Sequence, residues 1–168
     1  ADGAIRGNIT VVPQANSIGL AQYHFGEMDG RFDLGPRTNL NRDFPLVALA
    51  ERDTLLEGLD RRNAADKLKR TLLHMALGSD LVLDLHCDDE SLQYTYIDEV
   101  FWPEAADLAS ALDMEAVFIS DGESTAFEEA VGHAFKHQGG EKLKTVPGRL
   151  SVTVELRGRR DVYPDMAR

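Results

Sequence analysis

Hydrophobic and polar residues alternate most cleanly near the end of the chain. In Leu150 to Leu156 (LSVTVEL), Leu150, Val152, Val154 and Leu156 share one face of a strand, and Ser151, Thr153 and Glu155 share the other. Glu155 therefore stands at a strand end on a polar face. Leu81 to Leu85 has a different signature, four apolar residues broken only by Asp84. Such a run reads as a strand deep in a sheet, and this one ends at His86. Further runs at 8–13, 95–100 and 116–120 complete five expected strands.

Helical spacing appears between them. From Arg61 to Leu77, Ala65, Leu68, Leu72 and Met75/Ala76 recur at three and four residues, which predicts a helix with that stripe in the core. His74 falls opposite and is expected at the surface. Gly78 is expected just past the helix end. Leu46 to Leu59 is helical by composition, and Pro103 opens a helix to Leu112. Ser124 to His137 carries a stripe of Phe127, Ala130, Val131 and Ala134. His133 and His137 sit one turn apart after Glu129, a spacing that can bind metal, but the stripe points elsewhere and a solvated face is expected. Gly139-Gly140 to Gly148 reads as a hinge or loop. Strands alternating with helices predict an α/β fold, a three-layer sandwich with a mixed, mainly parallel sheet.

Gln14 to Asn41 is polar, Gly-rich and without sustained period. Loops of this length in a compact domain are usually functional or mobile. It holds His24-x-x-Glu27 and ends in Asn39-Leu40-Asn41-Arg42-Asp43-Phe44-Pro45. The bland expectation for His24 and Glu27 is solvent exposure.

Composition narrows the function. The 168 residues are 43% hydrophobic and 28% charged, which fits a single domain over 1–168 with a real core. The charged segment 157–168 reads as an exit towards a further, absent part. A formal charge of −11 argues against nucleic acid and anionic membrane as partners. No apolar run approaches the roughly 20 residues of a membrane span. Cys87 is the only cysteine, so no internal disulfide forms, and a reducing compartment, the cytoplasm, is expected. Cys87 itself is expected to be a small buried hydrophobe. The chain begins at Ala1 with no initiator Met, which fits a fragment. A sheet missing native strands exposes edges that pair with copies of the same chain, so a homo-oligomer is an expectation too.

Three positions carry candidate chemistry: Asn41-Arg42 at the loop end, His86 at one strand end and Glu155 at another. Sheets of this class place ligand sites at strand carboxyl ends. Amide hydrolysis needs a polarised carbonyl, a nucleophilic water and a base. An imidazole can bind a metal that supplies the first two, and a carboxylate can supply the third. A guanidinium fork matches a substrate carboxylate. Arg42 could instead bridge surface acids, and Glu155 could be a surface charge. Asp84 could orient a histidine or satisfy backbone donors.

The order VVPQAN…NLNRDFP…LDLHCD…SVTVEL resembles the succinylglutamate desuccinylase/aspartoacylase family, zinc-dependent deacylases on the metallocarboxypeptidase fold. The resemblance implies that His86 is a zinc ligand and that Asn41 and Arg42 grip the substrate carboxylate. It implies that Glu155 is the general base and that Arg37 or Arg31 polarises the scissile carbonyl. The implied substrate is a small-molecule N-acyl amino acid or a peptide-like compound. The family's first two zinc ligands, from an H-G-x-E type motif, precede the part of the family matched here. The parent protein is therefore expected to bind one zinc ion and to cleave an amide bond. This chain is expected to bind zinc weakly or not at all and to be inactive. Arg157, close to Glu155, is expected to pair with it and lower its pKa. The rival expectation is a metal-free α/β module that binds acidic small molecules or a protein partner.

Overall fold

The computed structural model of the protein describes residues 6–28, 30–121, 124–136 and 145–164. His137 and Gly139-Gly140 lie outside the described residues. The chain divides into two compact units, 1–40 and 41–168.

In the first unit, helix α1 spans Ser17–Leu20, capped by the Asn16 side chain, which accepts from the Gly19 N–H at 3.0 Å. Strands β1 (Tyr23–His24) and β2 (Glu27–Met28) form a short antiparallel hairpin. Its turn residues Phe25 and Gly26 both have positive φ, 50° and 85°. That handedness matches the twist of a tight hairpin and is easy for glycine. The expected loop thus carries local structure. The strand expected over 8–13 does not form; Ile9 and Val11 are exposed and pair with no strand. β-Branched residues favour strands because they pack on a pleated surface, and without that neighbour the preference is weak.

In the second unit, 3-10 turns at Leu49–Leu56 and Leu59–Arg61 replace the helix expected over 46–59. Gly58, left-handed at φ 62°, separates them. Of the apolar residues there, only Leu55 is buried, so no continuous stripe sustains an α-helix. Helix α2 spans Ala64–Ala76, with Asn63 accepting from the Asp66 N–H at 2.8 Å. Its buried positions are Ala65, Lys69, Leu73 and Ala76. Ala65 and Ala76 of the expected stripe are buried, whereas Lys69 and Leu73 take the places expected for Leu68 and Leu72. His74 is half-buried, 3.1 Å from Asp53. Gly78 follows the helix closely; a Cβ there would come within 2.8 Å of the Arg52 side chain.

The sheet comprises β3 (Leu81–Asp88), β4 (Gln93–Asp98), β5 (Ala116–Ser120) and β6 (Leu150–Gly158), in the order β3-β6-β4-β5. β3 runs parallel to β6 and β4 parallel to β5, while β4 and β6 are antiparallel. Helix α3 (Trp102–Ala111) follows β4, and α4 (Phe127–Lys136) precedes β6. Thr95, Ile97 and Val152 face Leu108, Ala109 and Leu112 of α3 and its end. On the opposite face Ser151 Oγ donates to the Glu128 carbonyl of α4 at 3.3 Å, and Lys136 of α4 is ion-paired with Asp98. Helices on both faces of a mixed sheet give the expected α/β sandwich.

The apolar strand that ends at His86 is not deep in the sheet. It is an edge strand, and Leu81, Leu83 and Leu85 are exposed, Leu85 at 62%. Cys87 lies on that same face and is exposed, not buried. A continuous apolar run signals cover on both faces, and one face of β3 is uncovered among the described residues. No helix among them is long and apolar enough to cross a membrane.

Glu128 is buried within α4, only 6% exposed. Burial first, then the charges of Glu129, Asp98 and Asp84, push its pKa up to about 8, with Lys136 opposing. A raised carboxylate favours the folded state below its unfolded value, and that stability is lost as pH rises through the folded value. Glu128→Gln should therefore melt like the parent near pH 4.5 and be more stable near pH 9, by about 1–4 kcal/mol. Parallel denaturation curves at both pH values would show it. Equal stabilities at pH 9 would contradict the burial argument.

Candidate functional site

The parallel pairing of β3 with β6 sets His86 directly across from Glu155, and Asp84 across from Thr153. Paired residues project from one face of a sheet, so the imidazole and the carboxylate share a surface. Asp84, two residues before His86, is on the same face, and its Oδ2 lies 2.9 Å from His86 Nε2. That hydrogen bond is the main reason the His86 pKa is raised; burial opposes it. The charges of Asp84 and Glu155 raise it further, and the charge of Arg42 lowers it. Arg42 and Glu155 therefore both lie close enough to act on His86. His86, Asp84 and Glu155 thus share one face of the β3–β6 pair, and the charge of Arg42 is felt at the imidazole.

Glu155 is half-buried, and its Oε2 is buried with no hydrogen-bond partner among the described residues. Burial raises its pKa, the charges of Asp88 and Asp84 add to this, and His86 opposes it. A carboxylate held this way binds a proton more strongly than one in water. The pairing expected with Arg157 does not form. Arg157 Nη2 lies 3.0 Å from Glu115 Oε1, and its backbone is left-handed at φ 61°. The turned backbone sends this side chain to Glu115, so Glu155 keeps a raised pKa, not a lowered one.

Arg42 is presented by a tethered segment. Asn41 Oδ1 accepts from the Phe127 N–H at 2.9 Å, in the first turn of α4. The Asp43 N–H donates to Thr125 Oγ1 and the Phe44 N–H to the Thr125 carbonyl, both at 3.0 Å. Asp43 itself is left-handed at φ 57°, a conformation aspartate tolerates better than most residues. The Arg42 side chain is exposed, and its Nη1 donates to the Asn41 carbonyl at 2.6 Å. Asn41 thus uses its side-chain oxygen to cap a helix 86 positions along the chain.

Arg37 and Arg31 belong to the 1–40 unit, where both are exposed. His24 and Glu27 face each other across the β1–β2 hairpin, also exposed. Sequence reasoning missed Tyr94, which pairs in register with Glu155 and donates through its hydroxyl to Asp88 Oδ2 at 3.1 Å. Period-two spacing in QYTYID puts Tyr94 and Tyr96 on one face and was a usable signal. It also missed Lys69, a lysine in the middle of an apolar helix face.

His86 with Asp84 behind it has the form of a metal-binding histidine and its orienting carboxylate. A catalytic zinc ordinarily takes three protein ligands. Among the described residues no group of three His, Cys, Asp or Glu side chains is placed to hold a metal ion. The described residues do not complete a zinc site.

The succinylglutamate desuccinylase/aspartoacylase catalytic domain matches residues 1–168. Two crystal structures of proteins assigned to that family share the fold. One, from Shewanella amazonensis, is 24% identical with a TM-score of 0.70, over 92% of this chain and 50% of that one. The other, from Shewanella frigidimarina, is 22% identical with a TM-score of 0.67, over 86% and 46%. The chain thus spans about half the length of these two structures. No curated protein matches it.

Removing the Asn41 side chain deletes an acceptor for an α4 N–H. Asn41→Ala should destabilise the fold by about 1 kcal/mol, the usual worth of such a cap. Urea denaturation measures this, and an unchanged midpoint at unchanged slope would show that the contact contributes nothing.

Proposed function

The chain belongs to the succinylglutamate desuccinylase/aspartoacylase family, and on that premise we propose that its protein hydrolyses the amide bond of an N-acyl amino acid. The observation that carries the reading is the shared face of His86 and Glu155, with Arg42 close enough to bias the imidazole. In this reading the exposed Arg42 guanidinium binds the substrate carboxylate, which places the scissile amide over the β3–β6 strand ends. Glu155, with its raised pKa and unpartnered Oε2, takes the proton from the attacking water and returns it to the leaving amine. Asp84 holds the His86 ring in one orientation through its Nε2. Arg37 is the arginine proposed to polarise the carbonyl, with Arg31 as its alternative.

The family implies zinc, and His86 is the position proposed as its ligand here. The described residues do not supply the other two. A zinc titration of this chain should show weak, sub-stoichiometric binding. Tight, one-to-one binding abolished by His86→Ala would show instead that the chain completes a site.

A second reading, a metal-free module that binds acidic small molecules through Arg42, draws on the same shortage of ligands. Turnover separates the two. Deacylase activity of the intact protein on N-acyl amino acids should fall 10²–10⁴-fold in Glu155→Gln, the range typical for loss of a general base. Activity within about threefold of wild type would remove Glu155 from that role. No turnover at all by the wild-type protein, with carboxylate binding retained, would favour the module.

A further inference from the structure

Lys69 occupies the centre of the buried face of α2, one turn from Ala65 and one from Leu73. It is 5% exposed. A lysine here is expensive, since burial disfavours its charge and lowers its pKa, and the charges of Asp43 and Asp66 oppose that shift. A leucine or methionine would satisfy packing at this position without that cost. Its Nζ donates to the Arg42 carbonyl at 2.5 Å and stands 5.9 Å from the centre of the Phe44 ring.

The contact completes a pattern around residue 42. Asn41, Asp43 and Phe44 are each bonded to Thr125 or Phe127 at the start of α4. Residue 42 is reached from a second helix, α2, through the Lys69 ammonium. Holding the carbonyl on one side of a left-handed bend at Asp43 fixes the direction in which the Arg42 Cα–Cβ bond points. The guanidinium itself stays exposed.

We propose that Lys69 is a positioning residue for Arg42, holding its backbone so that the guanidinium meets a substrate carboxylate in a fixed orientation. The inference rests on the reading of Arg42 as the carboxylate grip. Lys69 touches no substrate and acts only through Arg42. A fork whose two bonds must align loses selectivity for a carboxylate when its backbone anchor is released.

The test compares binding of N-acetylalanine with that of N-acetylalaninamide, which carries a neutral carboxamide in place of the carboxylate, by NMR titration of the intact protein with Glu155→Gln in every sample to suppress turnover. The ratio of the two dissociation constants reports the grip, and a change in overall stability alone does not move it. Arg42→Ala should bring the ratio near one. Lys69→Met keeps the apolar stem, removes the ammonium, and should lower the ratio about tenfold. If Lys69→Met fails to fold, Lys69→Gln is measured in the same way, with a fall of at least about threefold expected. A ratio unchanged by the Lys69 substitution but collapsed by Arg42→Ala overturns the role of Lys69 alone. A ratio unchanged by Arg42→Ala overturns the reading of Arg42 beneath it.

Discussion

The hydrogen-bonded ladder between β3 and β6 is the constraint on which the site depends. These strands come from distant parts of the chain, yet their parallel register places His86 opposite Glu155 and Asp84 opposite Thr153. A slip of one residue would send every one of these side chains to the other face. The register is held from both sides of the sheet. Val152 packs towards α3, and Ser151 bonds to α4. The polar row at the strand ends is thus a consequence of apolar packing further down the same strands.

A second constraint acts on Arg42. Its segment has no regular structure of its own, and short irregular segments are normally mobile. Here it is tied to two helices at once, through Thr125 and Phe127 of the α4 start and through Lys69 of α2. Because α4 also packs on β6 through Ser151, the guanidinium and the Glu155 carboxylate are referred to the same scaffold. Precise placement of an exposed side chain is possible when its backbone is over-determined in this way.

Much of this was legible in the sequence. The alternation in LSVTVEL set Glu155 on the polar face of β6, and the short strand at Ala116–Ser120 lies where its apolar run placed it. His86 was visible because an imidazole followed an apolar run. What was not legible depends on partners distant in the chain. The edge position of β3, and with it the exposure of Leu85 and Cys87, follows from strand order, which local pattern does not encode. The segment 8–13 had strand composition but pairs with no strand among the described residues. Asn41 was legible as a candidate substrate ligand, but the bond its side-chain oxygen also makes to the start of α4 needs knowledge of a helix 86 residues later. Arg157 looked like a partner for Glu155 by proximity in sequence, yet a left-handed backbone turns it to Glu115. Lys69 left a trace, a cation on an apolar stripe, that pattern matching treats as noise.

The central claim is that residues 42, 86 and 155 act on one another across a common surface. The pKa of His86, followed by NMR pH titration in the wild type and in two variants, tests it most directly. Glu155→Gln removes a negative charge that raises the value, and Arg42→Ala removes a positive charge that lowers it. The account predicts displacements of opposite sign, downward for the first and upward for the second. A His86 pKa unmoved by both substitutions would mean that the three groups do not share a site.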